Sequence, residues 1–229
     1  MPSNPLVGLT TDPHGTSKFE YSLIQKIAIY ALPVLLAITL HEAAHAYVAK
    51  RYGDATAFMM GRMTLNPLKH IDPVGTILIP LLALFLGGFI FGWAKPVPVN
   101  FSNLRHPKRD MRYVAVAGPL ANLAMAIGWV LLFKLSGTLG GYFGTPLALM
   151  CQAGVMINVS LMVLNLLPIP PLDGGRILVS LLPQRQAYSV SRIEPYGMWI
   201  LIALIFTGLL TTIMRPFMGL VYGFLNLFL

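Results

Sequence analysis

The sequence predicts an all-α polytopic membrane protein, and its composition gives the main reasons. The apolar residues AVILMFWYC make up 56% of the 229 positions and charged residues only 10%, whereas charged residues make up about 25% of a typical soluble domain. The mean hydropathy is +0.71. Because so few charges cannot cover a water-facing surface of this size, most apolar side chains must face lipid. This composition excludes an ordinary cytosolic enzyme, a disordered chain and a nucleic-acid-binding module.

Five apolar stretches follow a polar tail of residues 1–20, and we interpret residues 21–229 as one membrane domain. The stretches cover residues 21–49, 74–94, 113–134, 146–169 and 197–229. Each is long enough for a helix that crosses about 30 Å of hydrocarbon. Arg215 and Pro216 predict a break within the last stretch. The chain has a single cysteine, Cys151, which excludes an internal disulfide and a thiolate metal cluster.

The distribution of basic residues indicates which ends of these stretches share a side of the membrane. The net charge is +8, and 12 of the 16 Lys and Arg residues lie in three segments, residues 50–72, 95–112 and 173–196. Cytoplasmic loops of membrane proteins are enriched in Lys and Arg. All three segments can lie on the cytoplasmic side only if the stretch 74–94 enters the membrane and returns to the same side.

This second stretch contains residues that allow such a return. Pro80 lies near its start, and Gly87 and Gly88 lie in its middle; both residue types interrupt helices. Irregular backbone at membrane depth is tolerated where it lines a cavity. We therefore predict a re-entrant loop or hairpin, with a plain spanning helix as the alternative.

A metal-binding pattern ends the first apolar stretch. His41, Glu42 and His45 lie in the sequence H-E-A-A-H, and on a helix the two imidazoles are one turn apart on the same face. Such a pair can bind one Zn²⁺, while the intervening glutamate can take a proton from water. Ionisable residues within membrane segments are costly and usually functional. The alternative is that the histidines only cap the carboxyl end of the helix.

A catalytic zinc ion needs a third protein ligand, and Asp173 is the best candidate. It lies in the sequence NLLPIPPLDGGRI after the fourth apolar stretch. We expect the three prolines to unwind the helix, and Gly174 and Gly175 to allow unusual backbone angles. If the stretch 74–94 re-enters, Asp173 lies on the same face as the two histidines. A loop aspartate that pairs with Arg176 is the alternative.

These motifs resemble the site-2 protease family, the intramembrane zinc metalloproteases. The resemblance covers about residues 22–215. Between its third and fourth apolar stretches the sequence lacks the PDZ-like insertion of larger members. Three motifs are typical of the whole family: HEAAH at residues 41–45, GPLAN at 118–122 and NLLPIPPLDG at 165–174. Two further segments resemble the compact bacterial and archaeal members: GRMTLNPLKHIDPVG at residues 61–75 and GWAKPVPV at 92–99.

The resemblance implies a three-helix catalytic core with additional transmembrane helices, and it assigns roles to individual residues. The implied ligands of one Zn²⁺ are His41, His45 and Asp173. Glu42 is implied as the general base. Asn165 is implied to hold the scissile peptide or to stabilise its oxyanion, and Asn122 to support the site. The segment 92–99 is implied to add a strand beside an unwound substrate.

The resulting hypothesis is an intramembrane zinc endopeptidase of the cell membrane, with its active site towards the cytoplasmic side. Its partners would be the lipid bilayer and single-span membrane proteins, cut within or near the transmembrane segment, and it would bind no nucleic acid. The alternatives are a membrane transporter and a metal-binding scaffold that use the same polar residues. The chain has no internal repeat, and Glu42 stands at a catalytic spacing, which favours the peptidase.

Three other polar residues carry weaker signals. His70 and Asp72 either shape a turn before Pro73 or form an auxiliary metal or cavity site. His106 lies in a basic run, and we expect it to face solvent or lipid headgroups.

Overall fold

The computed structural model describes residues 22–78 and 95–229, and in these ranges the chain is mainly helical. The α-helices are α1 (Leu23–Tyr52), α2 (Thr56–Met59), α3 (Pro107–Ser136), α4 (Gly140–Asn165), α5 (Asp173–Leu181), α6 (Gln184–Ser191), α7 (Glu194–Phe206) and α8 (Leu209–Leu225). Short 3₁₀ turns lie at Pro67–His70, Phe101–Asn103 and Asn226–Phe228, and a π-helical turn at Pro73–Leu78. The predicted all-α class is confirmed.

Three of these helices are long and apolar enough to cross a membrane. They cover Ile24–Tyr52, Pro107–Ser136 and Gly140–Asn165. Helices α6 and α7 meet at an angle of 59° and would add a fourth, broken span if they are counted together. The prediction of a chain with several spans is therefore confirmed.

The three long helices pack against one another in every pairing. Helix α1 contributes small side chains to these contacts: Ala37, Ala46 and Ala49 are each at most 1% exposed. Small residues let helix backbones approach closely in a membrane. Because α1 also carries His41 and His45, this close packing brings both imidazoles up against α3.

The ends of α1 are fixed by its flanking residues. Ser22 accepts a hydrogen bond from the Gln25 backbone N–H and donates its own N–H to the Gln25 side chain, which is a capping box. At the other end, Gly53 has φ +118°, which residues with a Cβ rarely adopt. Its N–H donates to the Lys50 carbonyl at 3.2 Å, so the helix stops about two turns after its metal-binding pattern.

The break between α4 and α5 follows the prediction in part. Helix α4 ends at Asn165 and α5 begins at Asp173, so the proline-rich segment interrupts the helix as expected. The expectation for Gly174 and Gly175 is wrong: both have helical backbone, and neither has a positive φ. A Cβ at Gly174 would lie within 3 Å of the carbonyl oxygens of Leu166 and Leu167. Glycine is needed there for close packing.

The break in the last apolar stretch is not where the sequence predicts it. Pro216 lies inside α8, and the chain turns instead at Thr207 and Gly208, between α7 and α8. Gly208 has φ +71°, a conformation that ends a helix. Proline is tolerated in a membrane helix where surrounding groups satisfy the freed backbone.

The predictions for the tail 1–20 and for most of the stretch 74–94 concern residues outside the described ranges. The backbone that flanks the second of these is described: the Lys95 N–H donates to the His70 carbonyl at 2.9 Å. The re-entrant loop itself stays a prediction.

The three basic segments lie at one end of the helix bundle. The Arg105 N–H donates to the Tyr52 carbonyl at 2.9 Å, which joins the first segment to the second. The Lys108 ammonium donates to the Leu182 carbonyl, which joins the second to the third. This is the arrangement that the basic residues predict.

Candidate metal centre

Three predicted ligands from two distant helices meet in a buried cluster. His41 and His45 lie on α1, and Asp173 is the first residue of α5. The Nε2 atoms of the histidines are 3.0 Å apart. The Oδ2 atom of Asp173 lies 3.3 Å from the Nε2 of His41 and 3.2 Å from that of His45. All three residues are less than 9% exposed.

The partners of the other ring nitrogens determine the form of each imidazole. The Nδ1 of His45 is 2.8 Å from the Val114 carbonyl oxygen, which can only accept, so this nitrogen carries the hydrogen. The Nδ1 of His41 is 2.6 Å from Oδ1 of Asn122, which likewise only accepts. In neutral imidazoles each Nε2 therefore presents a lone pair to the cluster.

The three atoms that converge are thus all electron-pair donors. The Asp173 Oδ2 is buried and has no hydrogen-bond donor among the residues that the structure describes. Lone pairs at 3.0–3.3 Å repel unless a cation lies between them. A tetrahedral Zn²⁺ with ligand bonds of about 2.0–2.1 Å separates its ligands by about 3.3–3.4 Å. Two imidazoles and one carboxylate are also a usual catalytic zinc set. The donor set fits Zn²⁺.

This geometry decides against two alternatives. The histidines do not simply cap α1, because their rings face Asp173 and α3. Asp173 does not pair with Arg176, whose guanidinium carbon lies 5.0 Å from the centre of the Phe101 ring.

Helix α3 leaves room for the cluster at Gly118. A Cβ at this position would lie within 3 Å of both imidazole rings, so any side chain would displace a ligand. The GPLAN motif thus combines two local requirements: Gly118 removes a side chain, and Asn122, one turn later and fully buried, reaches His41.

Glu42 lies beside the cluster and contacts a different part of the chain. Its Oε2 accepts a hydrogen bond of 2.7 Å from the Val97 backbone N–H. The side chain is partly exposed, so the carboxylate is held in place while water can reach it. Residues 95–100 carry neither helix nor turn, and in the described part of the chain they pair with no strand. The strand implied for residues 92–99 stays a prediction.

One end of this segment is held by the chain that precedes it. Arg62 donates to the carbonyl oxygens of Lys95 at 3.1 Å and Pro96 at 3.3 Å. The Lys95 N–H is bound in turn by the His70 carbonyl. These bonds fix the backbone immediately before Val97.

The other end is held by Asp54, just after α1. Its Oδ2 accepts from the Asn100 N–H at 2.7 Å, and its Oδ1 accepts from the Asn103 amide at 3.2 Å and the Thr56 N–H at 3.0 Å. The Thr56 hydroxyl also donates to Oδ1. Burial raises the pKa of the Asp54 carboxyl, but the hydrogen bonds, of which that from the Thr56 hydroxyl has the largest effect, lower it by more, so its pKa lies below the ordinary value. The carboxylate therefore anchors the backbone just after Val99.

The remaining predicted residues are placed as follows. Asn165 ends α4, and its amide donates to the Leu161 carbonyl at 3.0 Å; within the described ranges it makes no hydrogen bond to the cluster. His70 is buried and its Nε2 bonds the Thr64 carbonyl at 3.0 Å. Asp72 accepts from the backbone N–H groups of Val74 and Gly75, so it shapes the turn that begins at Pro73 and not one before it. Neither joins the metal cluster. His106 is exposed.

One polar residue near the cluster belongs to none of the sequence motifs. Asn158, in the middle of α4, is fully buried, and its Oδ1 accepts from the Asn122 amide at 2.9 Å. An amide within an apolar helix was the available signal. The hydrogen bonds of the Val97 N–H to Glu42 and of the Val114 carbonyl to His45 cannot be predicted from the sequence, because every residue type has these backbone groups.

Known proteins resemble the chain over most of its length. YwhC of Bacillus subtilis, named as a candidate zinc metalloprotease, is 38% identical over 206 residues, which cover 88% of this chain and 91% of the relative. The family model of peptidase family M50 matches residues 140–208. The chain belongs to peptidase family M50, the site-2 protease family.

Other relatives agree with this membership. Rip2 of Mycolicibacterium smegmatis, also named as a candidate zinc metalloprotease, is 35% identical over 198 residues, 84% of the M50 chain and 71% of Rip2. The zinc metalloprotease MJ0392 of Methanocaldococcus jannaschii is 26% identical over 161 residues, 70% of the chain and 36% of the relative. No solved structure matches significantly. The M50 chain is a zinc metalloendopeptidase, and its cofactor is Zn²⁺.

Proposed function

We propose that the protein is an intramembrane endopeptidase that cleaves single-span membrane proteins within or near their transmembrane segments, on the cytoplasmic side of the cell membrane. The observation that carries the proposal is the buried convergence of His41, His45 and Asp173 next to a partly exposed Glu42. Cleavage of a soluble substrate does not require a site among membrane helices, whereas cleavage within a transmembrane segment does.

In this proposal the zinc ion is held by the two Nε2 atoms and the Asp173 carboxylate. When bound there, zinc supplies Lewis acidity towards water and the peptide carbonyl. Glu42 takes a proton from the attacking water and passes it to the leaving nitrogen. The Val97 N–H keeps the Glu42 carboxylate in one orientation between these two transfers.

The substrate must present an extended backbone, because a helix hides its carbonyl groups in hydrogen bonds four residues apart. Residues 95–100 are a suitable partner for such a segment. Within residues 22–78 and 95–229, the Val97 carbonyl and the Val99 N–H make no hydrogen bond, so we propose that both pair with an added strand. The roles of Asn165, in holding the peptide, and Asn122, in supporting His41, belong to the same proposal.

The cytoplasmic orientation is supported by the basic end of the bundle. The hydrogen bonds between the three basic segments, which contain 12 Lys and Arg residues, join them at the end of the bundle that holds Asp54 and Leu182, the residue after α5. Positive residues remain on the cytoplasmic side during insertion. The metal cluster, about two turns before the end of α1, lies closer to this end of the bundle than to the other.

The test uses the purified full-length protein in proteoliposomes with a tagged single-span protein as substrate. Glu42→Gln keeps the size of the side chain and an acceptor for Val97, but it cannot take up a proton. We expect cleavage to fall by about 10²–10⁴-fold while zinc content is retained. The exposed Glu194→Gln is the matched control and should cleave like the wild type. Equal cleavage by wild type and Glu42→Gln would contradict the proposal.

Two further measurements separate the parts of the proposal. A chelator should stop turnover and added zinc should restore it. Mass spectrometry of the products should place the cut within or beside the spanning segment; a cut only in a distant soluble loop would contradict intramembrane cleavage. Zinc flux into the vesicles without proteolysis would support a transporter instead.

A further inference from the structure

A chain of buried amides connects α4 to the metal cluster. The Asn158 amide donates to the Gly154 carbonyl at 2.8 Å, and its Oδ1 accepts from Nδ2 of Asn122 at 2.9 Å. Asn122 in turn places its Oδ1 2.6 Å from the Nδ1 of His41. Asn122 and Asn158 are both 0% exposed. We call these two residues the amide pair.

The Gly154 carbonyl, at the end of this series of hydrogen bonds furthest from His41, determines the direction of every bond in the series. The Gly154 carbonyl can only accept, so the NH₂ group of Asn158 must face it, and the oxygen of Asn158 must face Asn122. The oxygen of Asn158 then requires the NH₂ group of Asn122. That leaves the oxygen of Asn122 for His41, whose Nδ1 must carry the hydrogen. A second carbonyl, that of Ala37, accepts from the same Asn122 amide at 3.3 Å.

We propose that Asn158 is a positioning residue of the metal centre, which acts through Asn122 to keep the lone pair of His41 on Nε2. The inference rests on the proposed function, because it takes His41 as a zinc ligand. With Asn158 present, a 180° rotation of the Asn122 side-chain amide would break all its hydrogen bonds. Without Asn158, only the longer bond to Ala37 opposes this rotation. The rotated amide would place its NH₂ group against Nδ1 of His41 and favour the imidazole form with hydrogen on Nε2, in which Nε2 has no lone pair for a metal.

The position of Asn158 supports a specific role over simple packing. A buried amide in an apolar helix costs free energy unless it is hydrogen-bonded, and its neighbours Val155 and Val159 are buried apolar residues of the core. An apolar residue would fill this space at less cost. Partners that orient zinc-binding histidines typically change metal affinity by about 10–100-fold.

The first test measures zinc affinity of the purified full-length protein in detergent by competition with a chromophoric chelator. We expect Asn158→Ala to weaken zinc binding about 10-fold. Val155→Ala, one turn earlier, opens a comparable cavity and should leave the affinity within about twofold. Asn158→Asp should retain most of it, since a neutral carboxyl group can donate to Gly154 and accept from Asn122. Wild-type affinity in Asn158→Ala would overturn the inference.

A double-mutant cycle tests the path of the effect. Asn122→Ala should also weaken zinc binding, and adding Asn158→Ala to it should cause no further loss, because Asn158 acts only through Asn122. Two independent losses that add in full would overturn the inference.

The remaining outcomes are also decisive. If Asn158→Ala does not fold, ¹⁵N NMR of the imidazoles in the zinc-free wild type and in Asn158→Asp should show hydrogen on Nδ1 of His41; hydrogen on Nε2 in both would overturn the inference. A wild type that binds no zinc would contradict the proposed function itself. Zinc binding by the wild type with no effect at Asn158 would contradict the positioning role alone.

Discussion

The backbone N–H of Val97 donates to the Glu42 carboxylate at 2.7 Å, across 55 residues of chain. This bond ties α1 to the segment 95–100, whose two ends are held by Arg62 and Asp54. The carboxylate that lies between His41 and His45 in the sequence thus takes its orientation from a loop. Any change that releases the loop should affect the chemistry while leaving the metal ligands in place.

Arg62→Ala tests this coupling at the first end of the loop. The variant removes the donors to the Lys95 and Pro96 carbonyls, so Val97 loses its fixed position. We expect kcat to fall about 10–100-fold, the size of effect that small misplacements produce, with zinc content unchanged. Arg62→Lys keeps a donor for the carbonyls and should recover part of the activity.

The control for this prediction is Arg192→Ala, which removes the same charge from an exposed position. Its kcat should match the wild type. A parallel loss in both variants would show that total charge, and not the position of Val97, controls the rate.

Asp54 provides a pH-dependent test at the other end of the loop. Because its pKa is lowered in the folded protein, the carboxylate contributes stability that is fully present above the ordinary pKa of about 3.9 and is lost as the pH falls through the folded value. We expect Asp54→Asn to unfold at a lower temperature than wild type at pH 6. The difference should shrink below about pH 4. Thermal unfolding in detergent across this range measures it, and a difference that grows on acidification would contradict the assignment.

The convergence of His41, His45 and Asp173 is predictable from the sequence for a physical reason. Two imidazoles four residues apart must share a helix face, and a carboxylate after a proline-rich break has few other roles. The predictions failed where packing decides. Gly174 and Gly175 predict unusual backbone angles, whereas the structure requires them because a Cβ would collide with neighbouring backbone atoms. Pro216 predicts a break, yet it lies inside α8.

Asn158 and Val97 could not be assigned in the same way. Their roles depend on the register between α1, α3 and α4 and on the path of a loop, and neither quantity is encoded in local residue patterns. A buried amide signals that a partner exists, but the partner becomes known only when the helices are packed.

Thiol labelling tests which end of the bundle faces the cytoplasm. Cys151 is fully buried, so a single introduced cysteine reports its own side. We expect a membrane-impermeant maleimide to label Thr138→Cys, in the turn between α3 and α4, on intact cells. Ser102→Cys, an exposed position in the basic end, should be labelled only after permeabilisation. The reverse pattern would place the active site on the outer side.

Gly118 offers the sharpest test of the metal centre, because one methyl group should disrupt it. In Gly118→Ala the new Cβ lies within 3 Å of both imidazole rings, so at least one of His41 and His45 must move away from Asp173. We expect zinc affinity to fall by at least about 10-fold, as when a ligand loses its orientation, and proteolysis to fall with it. Gly128→Ala is the matched control on the same helix, where a Cβ meets no atom of the described residues within 4 Å. It should keep wild-type zinc affinity and gain up to about 1 kcal/mol of helix stability. Competition with a chelator gives both affinities, and thermal unfolding separates a lost metal site from a lost fold. Wild-type zinc affinity in Gly118→Ala would show that the two imidazoles do not bind the metal at this face of α3.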